Sequence, residues 1–246
     1  MPTKCRSPQP SLRGKVALIT GANRGIGLAI ARALASEGCN LIITARDEPT
    51  LKNAGRELAR RKIRVLVHAC DVRDPVAVKT LLTAVERQFH RLDILINNAG
   101  IAHPSQNMDK LPFESWLEVI NTNLNALFLV TQAALPLMKR GSAIVNNLSI
   151  AAKRVFAGSS AYNASKHGAL GFTNTLREEL RPQGIRVIAI VAGATDTEIW
   201  NTLWPQAPRK KMMSPETVAV ALVNALKLPQ DSTVEELVIL PTVGVL

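Results

Sequence analysis

The feature that most constrains this chain is a regular alternation. Short, mostly apolar runs take turns with amphipathic stretches along nearly its whole length. The runs are KVALIT (15–20), NLIITA (40–45), RVLVHA (64–69), LDILI (92–96), SAIVNN (142–147), IRVIAIV (185–191) and ELVIL (236–240). Each is strand-sized, and apolar residues in succession rather than in alternation belong to strands covered on both faces. Between them, apolar residues fall at helical spacing over 28–37, 51–62, 76–89, about 113–139, 160–180 and 215–228. Asp74-Pro75 opens the third of these as a helix start. Strand and helix in succession predict an α/β fold: a doubly wound parallel sheet of about seven strands with helices on both faces.

The totals bound the function. An apolar fraction of 47% in 246 residues supplies one packed domain, expected over 14–246. The first 13 residues carry charges and prolines but no apolar h-region, so they read as a flexible lead-in rather than a secretory signal. No apolar run reaches the ~18–20 residues of a membrane span. Cys5, Cys39 and Cys70 are scattered, and His68, His90, His103 and His167 show no ligand spacing. A disulfide framework and a metal site are therefore not expected, and a reduced cytoplasm is. The net charge of +11 suits either nucleic acid or an anionic ligand on a basic protein. The densest basic clusters, 56–64 and 209–211, hold no interleaved aromatics for base stacking, so nucleic acid is not expected.

The first strand runs straight into TGANRGIG, with glycines at 21, 25 and 27, and the first helix follows. A tight glycine turn at a helix N-terminus lets backbone N–H groups and the helix dipole meet a pyrophosphate. The second strand ends TARD. Ala45 stands where a carboxylate would hold a ribose 2′-OH, and Arg46 follows. Arg46, with Arg24 in the glycine turn, suits an additional 2′-phosphate and hence NADP(H). Asp47 is the competing feature, since a carboxylate there suits an unphosphorylated ribose.

Tyr162 is the chain's single tyrosine, and Lys166 lies one helical turn later in AYNASKHGA. Such a pair shares a helix face by geometry alone, and an amphipathic surface tyrosine is the plain reading. The chemical reading is a phenol whose high pKa, about 10, is lowered by the neighbouring ammonium so that it exchanges protons near neutrality.

Taken together these motifs resemble the short-chain dehydrogenase/reductase family over about 14–240. TGANRGIG looks like its TGxxxGxG loop, and YNASK like its YxASK signature. NNAG (97–100) looks like the motif closing strand four, with Asn98, Ala99 and Gly100 at the cofactor; Asp71-Val72 looks like the adenine-contacting pair. The resemblance implies a Rossmann-type fold and a catalytic set of Asn123, Ser149, Tyr162 and Lys166. In it, Tyr162 is the general acid/base and Lys166 also holds the nicotinamide ribose. Ser149 binds the substrate oxygen, and Asn123 continues a proton relay through water and Lys166. Cofactor contacts are implied at Gly21, Asn23, Arg24, Gly25, Ile26, Gly27 and Arg46, and at Gly193 and Thr197 after strand six. The activity implied is hydride transfer between NADP(H) and a carbonyl/alcohol substrate, such as reduction of a 3-oxoacyl or similar ketone, by a homodimer or homotetramer. The alternative is a non-catalytic NADP-binding sensor or scaffold on the same fold.

Three features depart from the family pattern: Ala192, Leu148 and the C-terminus, VEELVILPTVGVL, which lacks the glycine pair that closes the last strand in many members. Ala192 replaces the usual proline before Gly193, which restores an N–H and loosens the turn, so a more mobile loop is expected. Leu148 precedes the serine where a small residue is common, which narrows the pocket. The expected substrate lid, 197–214, carries Trp200, Leu203, Trp204, Met212 and Met213, an apolar cover or a packing surface. It also carries Arg209, Lys210 and Lys211, either a solvated charge run or an attractor for an acidic substrate. Ile150, Ala151, Phe156 and His103 flank the catalytic segments.

Overall fold

A computed structural model describes residues 11–246. Seven parallel strands form one sheet: β1 (Val16–Thr20), β2 (Asn40–Thr44), β3 (Val65–Val67), β4 (Ile94–Asn97), β5 (Ala143–Asn147), β6 (Arg186–Ala192) and β7 (Glu236–Ile239). Their order is β3-β2-β1-β4-β5-β6-β7. The chain winds outward from β1 in one direction and from β4 in the other. The direction changes between β1 and β4, where a crevice opens beyond the carboxyl ends of the strands.

The helices are α1 (Gly25–Ser36), α2 (Glu48–Ala59), α3 (Pro75–Phe89), α4 (Phe113–Ile120), α5 (Ala126–Ala134), α6 (Ser160–Leu180), α7 (Trp200–Leu203) and α8 (Pro215–Leu226). Strand alternation splits the core in two. Ala17 and Ile19 of β1 face α1, α2 and α8, where Leu34, Leu51 and Leu222 are buried. Val16 and Leu18 face α3, α5 and α6, where Leu81, Val130 and Leu176 are buried. Both faces are covered, as uniformly apolar strands require.

Two helices differ from expectation. α2 begins at Glu48, earlier than the apolar spacing gave, because the Asp47 carboxylate accepts from the Thr50 N–H and Pro49 fits the first turn. The expected continuous helix over 113–139 is interrupted. Residues Asn121–Asn125 form a π-helical turn between α4 and α5, and a 3-10 turn follows at Leu135–Leu137. Of the expected lead-in, residues 1–10 lie outside the described residues, as does Cys5. Leu12 is buried, and its carbonyl accepts from the Cys39 thiol at 3.2 Å. No helix among the described residues is long and apolar enough to cross a membrane.

Candidate active site

The glycine turn is set by close approach. Gly21 has φ +63°, in the left-handed region. A Cβ on Gly27 would lie 2.3 Å from the Gly21 carbonyl oxygen and 2.4 Å from Asn98 Nδ2, so no other residue fits. Asn98 is the brace. Its Nδ2 donates to the Thr20 and Gly21 carbonyls at 2.9 and 3.1 Å, and its Oδ1 accepts from Asn147 Nδ2 at 2.8 Å. Thr20 completes the brace: its Oγ1 accepts from the N–H groups of Asn98 and Ala99 at 2.9 and 3.0 Å. In the sequence Thr20 stands out only as the first letter of the glycine motif, and Asn147 not at all, because a polar residue at a strand end looks like any turn residue.

α1 begins without a side-chain cap, because its N-cap residue is Arg24 and no acidic residue lies in its first turn. Its first N–H groups therefore have no internal partner and face the cleft beside Gly25. A pyrophosphate fits that set of donors. Asn23 Nδ2 donates to Thr50 Oγ1 at 2.9 Å, tying the turn to α2. Ile26 half-buries its side chain against the core.

Arg24 and Arg46 both line the cleft and are exposed. Among the described residues Arg24 has no ion pair, while Arg46 Nη1 stands 4.0 Å from Glu118 Oε1. Asp47 also lines the cleft, and its Oδ1 accepts from the Thr50 N–H at 3.5 Å to cap α2. Asp71 and Val72 line the same end of the cleft. The Asp71 carboxylate is held by Arg73 through Nη2 at 2.6 Å and Nε at 3.0 Å, and this bond keeps its pKa below the usual carboxylate range. Arg73 was missed by the sequence reading; nothing in its spacing marks it.

Asn123, Ser149, Tyr162 and Lys166 converge at the other end. Asn123 sits in the π turn and is buried. Its Oδ1 accepts from the Ile101 N–H and its Nδ2 donates to the Ile101 carbonyl, both at 2.9 Å, and to Ser165 Oγ at 3.0 Å. Ser165 in turn donates to the Tyr162 carbonyl at 2.8 Å. The Asn123 amide is thus a clamp between the loop after β4 and α6, and both its hydrogens are engaged. Ser149 caps a 3-10 turn at Ile150–Ala152, its hydroxyl accepting from the Ala151 N–H at 3.1 Å. Lys166 Nζ donates to the Asn147 carbonyl at 3.1 Å and lies 5.6 Å from the Tyr162 ring centroid.

The electrostatics differ from the simple expectation that Lys166 lowers Tyr162. Burial pushes the Tyr162 phenol up, partly offset by its hydrogen bond with Ser149. Burial also pushes Lys166 down, to about 8. Desolvation acts against both charged forms and outweighs their mutual influence.

One cleft of about 790 Å³ joins the two ends. Gly100 lies between them: a Cβ there would stand 3.3 Å from Asn123 Oδ1 and 3.7 Å from Lys166 Nζ. Gly193 and Thr197 line the cleft, with the Thr197 methyl against Gly25. Ala192 continues β6 to its last residue, paired with Ile239, and the Gly193 N–H donates to the Ile239 carbonyl at 2.8 Å. Phe156, Ile150, Ala151 and Leu148 line the cleft as well, but His103 does not. It is buried with Nδ1 2.7 Å from the Pro104 carbonyl oxygen. Of the lid residues, Trp200, Leu203 and Trp204 line the cleft, whereas Met213 packs on the core beside α1 and α8. Arg209 is not at the cleft; its Nε pairs with Asp196 at 2.6 Å. Among the described residues no cluster of three His, Cys, Asp or Glu could hold a metal.

The chain is similar to proteins that share this architecture. Sulfoacetaldehyde reductase 2 of Chromohalobacter salexigens is 35% identical over 92% of this chain and 94% of its own. The structure of an alcohol dehydrogenase from the archaeon Thermococcus sibiricus, complexed with 5-hydroxy-NADP, superposes with a TM-score of 0.87 at 31% identity, covering 94% of this chain and 97% of that one. A variant of actinorhodin polyketide ketoreductase with NADPH superposes at 0.83 with 32% identity, covering 94% and 97%. The family model described as short chain dehydrogenase matches residues 15–208. With the glycine turn, the asparagine brace and the serine–tyrosine–lysine cluster on one sheet, the chain belongs to the short-chain dehydrogenase/reductase family.

Proposed function

We propose that this protein is an NADP-dependent oxidoreductase that reduces a ketone, with Tyr162 as general acid. One observation carries the reading. Ser149, Tyr162 and Lys166 gather at one end of a cleft whose other end presents an uncapped helix N-terminus beside Arg24 and Arg46. The NADP and NADPH complexes of similar structures support the cofactor. A sensor or scaffold would need the arginine end but has no use for the Tyr162 end.

The glycine turn and α1 would hold the pyrophosphate, and Arg24 and Arg46 the 2′-phosphate through charge-assisted bonds. Asp71, Val72 and the Asn98–Gly100 segment would line the adenosine and ribose, with Gly193 and Thr197 beyond. When bound, the cofactor supplies a hydride at the carbonyl carbon. Ser149 and Tyr162 donate hydrogen bonds to the substrate oxygen as negative charge develops there. Tyr162 then delivers its proton to that oxygen, giving the alcohol. Burial keeps Tyr162 protonated through neutral pH, the form ketone reduction needs. Alcohol oxidation needs the phenolate instead, so it gains rate as pH rises. Lys166 braces the carboxyl end of β5 through Asn147. Asn123 acts through position, fixing α6 and thus Tyr162.

The working unit we propose is one domain over 14–246 with a lid near 197–214, assembled as a homodimer or homotetramer in a reducing cytoplasm. Cys39 and Cys70 are buried free thiols that burial pushes up to about 12 and about 11, so neither is a reactive thiolate at neutral pH.

The test is NADPH oxidation across a panel of ketones, aldehydes, quinones and 3-oxoacyl thioesters, with NADH and Tyr162→Phe in parallel. Turnover that prefers NADPH and falls at least about 10²-fold in the variant is the expected result. NADH preference would remove the arginine argument, and equal turnover by Tyr162→Phe would remove the mechanism.

A further inference from the structure

The two ends of the cleft differ in charge. The cofactor end carries Arg24, Arg46, Asp47, Asp71 and Glu118, and Glu198 stands beside Gly25. Past Tyr162, Lys166 is the one charged side chain among the described lining residues. It is buried at the foot of the cleft, with one Nζ hydrogen on the Asn147 carbonyl. Of the cations near the lid, Arg209 pairs with Asp196 and Lys153 with Glu236, while Lys210, Lys211 and Arg154 lie outside the cleft lining and are exposed. None of these pairs lines the cleft.

What lines that end is mostly apolar and uncharged, with the hydroxyls of Ser105, Ser159 and Thr202 among the lining. Leu148, Phe156 and Val245 belong to one packed cluster with Leu240. Opposite them stand Trp200, Leu203 and Trp204. The Trp200 indole N–H donates to the Thr195 carbonyl at 2.8 Å, so its one polar atom is spent. Trp204 meets Trp200 edge to face, ring centroids 6.4 Å apart. A carboxylate or sulfonate seated between this wall and the tryptophans gives up part of its water and meets no cation on either side, which is costly. An uncharged hydrocarbon gains instead, about fourfold in affinity for each methylene it buries.

We infer that the ketone is carried on an uncharged apolar skeleton, seated between the Leu148–Phe156–Val245 wall and the two lid tryptophans, and that free keto acids are poor substrates. This rests on the reading of Tyr162 as the proton donor at that end. It narrows the substrate class: esters and thioesters of oxo acids fit, while their free anions do not.

The experiment compares methyl 4-acetylbenzoate with 4-acetylbenzoate, the same aryl ketone with its para group masked or ionised. NADPH consumption by the purified full chain is followed at pH 7. The ester is expected to show kcat/KM at least tenfold above the acid. Across 4-alkylacetophenones from methyl to butyl, kcat/KM should climb several-fold. Phe156→Arg should shrink or invert the ester-to-acid ratio by supplying the missing cation. An acid reduced as well as its ester, or a flat alkyl series, would overturn the inference and leave the reductase reading standing. NADPH consumption with none of these ketones, despite cofactor binding seen as a change in nicotinamide fluorescence, would overturn both.

Discussion

Lys166 concentrates the tension of the site in one side chain. It is 6% exposed, its ammonium has a carbonyl but no carboxylate, and burial lowers its pKa from 10.5 to about 8. Between those values the unfolded chain binds more protons than the folded one, so stability rises with pH from about 8 upward. Below about 8 the burial cost is present in full. Lys166→Met is therefore expected to unfold about 1–2 kcal/mol later at pH 7, after allowing for the lost bond to Asn147, while abolishing turnover. Its advantage should shrink as pH climbs past 8. Paired denaturant melts at pH 7 and 9.5 read this directly, and a variant less stable at pH 7 would refute the burial account. At the far end, Glu118 stands 4.0 Å from Arg46 and 3.6 Å from Arg73. Its charge opposes a 2′-phosphate on Arg46. Glu118→Gln should lower KM for NADPH about two- to fivefold and leave KM for NADH unchanged, a modest effect because all three groups are well solvated. Equal changes for both cofactors would place Glu118 outside the selectivity.

Between residues and the whole, the elements are held in register by a buried polar ladder. Asn97 at the end of β4 donates to Thr131 of α5 at 3.0 Å and to Asn146 of β5 at 2.9 Å. Asn146 donates to Thr173 of α6 at 2.9 Å. The ladder fixes α6, which carries Tyr162 and Lys166, against the strands that lead into Asn98 and Ser149. Asn146→Ala leaves one Asn97 hydrogen without its acceptor and opens a small void. It is expected to cost about 2–3 kcal/mol, seen as a lower urea midpoint at unchanged slope. An unchanged midpoint would mean water replaces the amide. Neither this ladder nor the π turn was legible beforehand. The apolar period of 113–139 runs on through 121–125, and only the amide bonds of Asn123 to Ile101 and Ser165, made from distant segments, mark where a residue is added. Local signals did better. α6 occupies the span its periodicity gave, and the strands lie where the apolar runs put them, because each depends on burial that neighbouring residues encode. The glycine turn was legible for the same reason: close backbone approach leaves a mark in the residues themselves. Arg73 on Asp71 left none.

The whole molecule sets an apolar surface against a large charge. Phe113 and Leu117 of α4 and Phe128 of α5 are 66%, 40% and 47% exposed, and Phe128 meets Phe172 of α6 edge to face. Exposed apolar side chains of this size suit an association surface. A second copy of the chain is the occupant our reading gives them, yet each copy brings a net charge of +11. Like charge opposes assembly over distances near the Debye length, about 10 Å at 0.1 M salt, while apolar contact does not weaken with salt. The two terms respond to salt with opposite consequences for the two readings of the basic surface. Self-association should tighten between about 50 and 500 mM salt, whereas binding to a nucleic acid would loosen steeply over that range. Light scattering behind size exclusion is expected to give a dimer or tetramer at the higher salt. Phe128→Glu should shift it toward monomer and reduce turnover, because α5 and α6 frame the segments bearing Asn123 and Tyr162. A monomer at micromolar concentration in 500 mM salt, with full NADPH-dependent turnover, would refute the assembly and leave those aromatics without a partner of this kind.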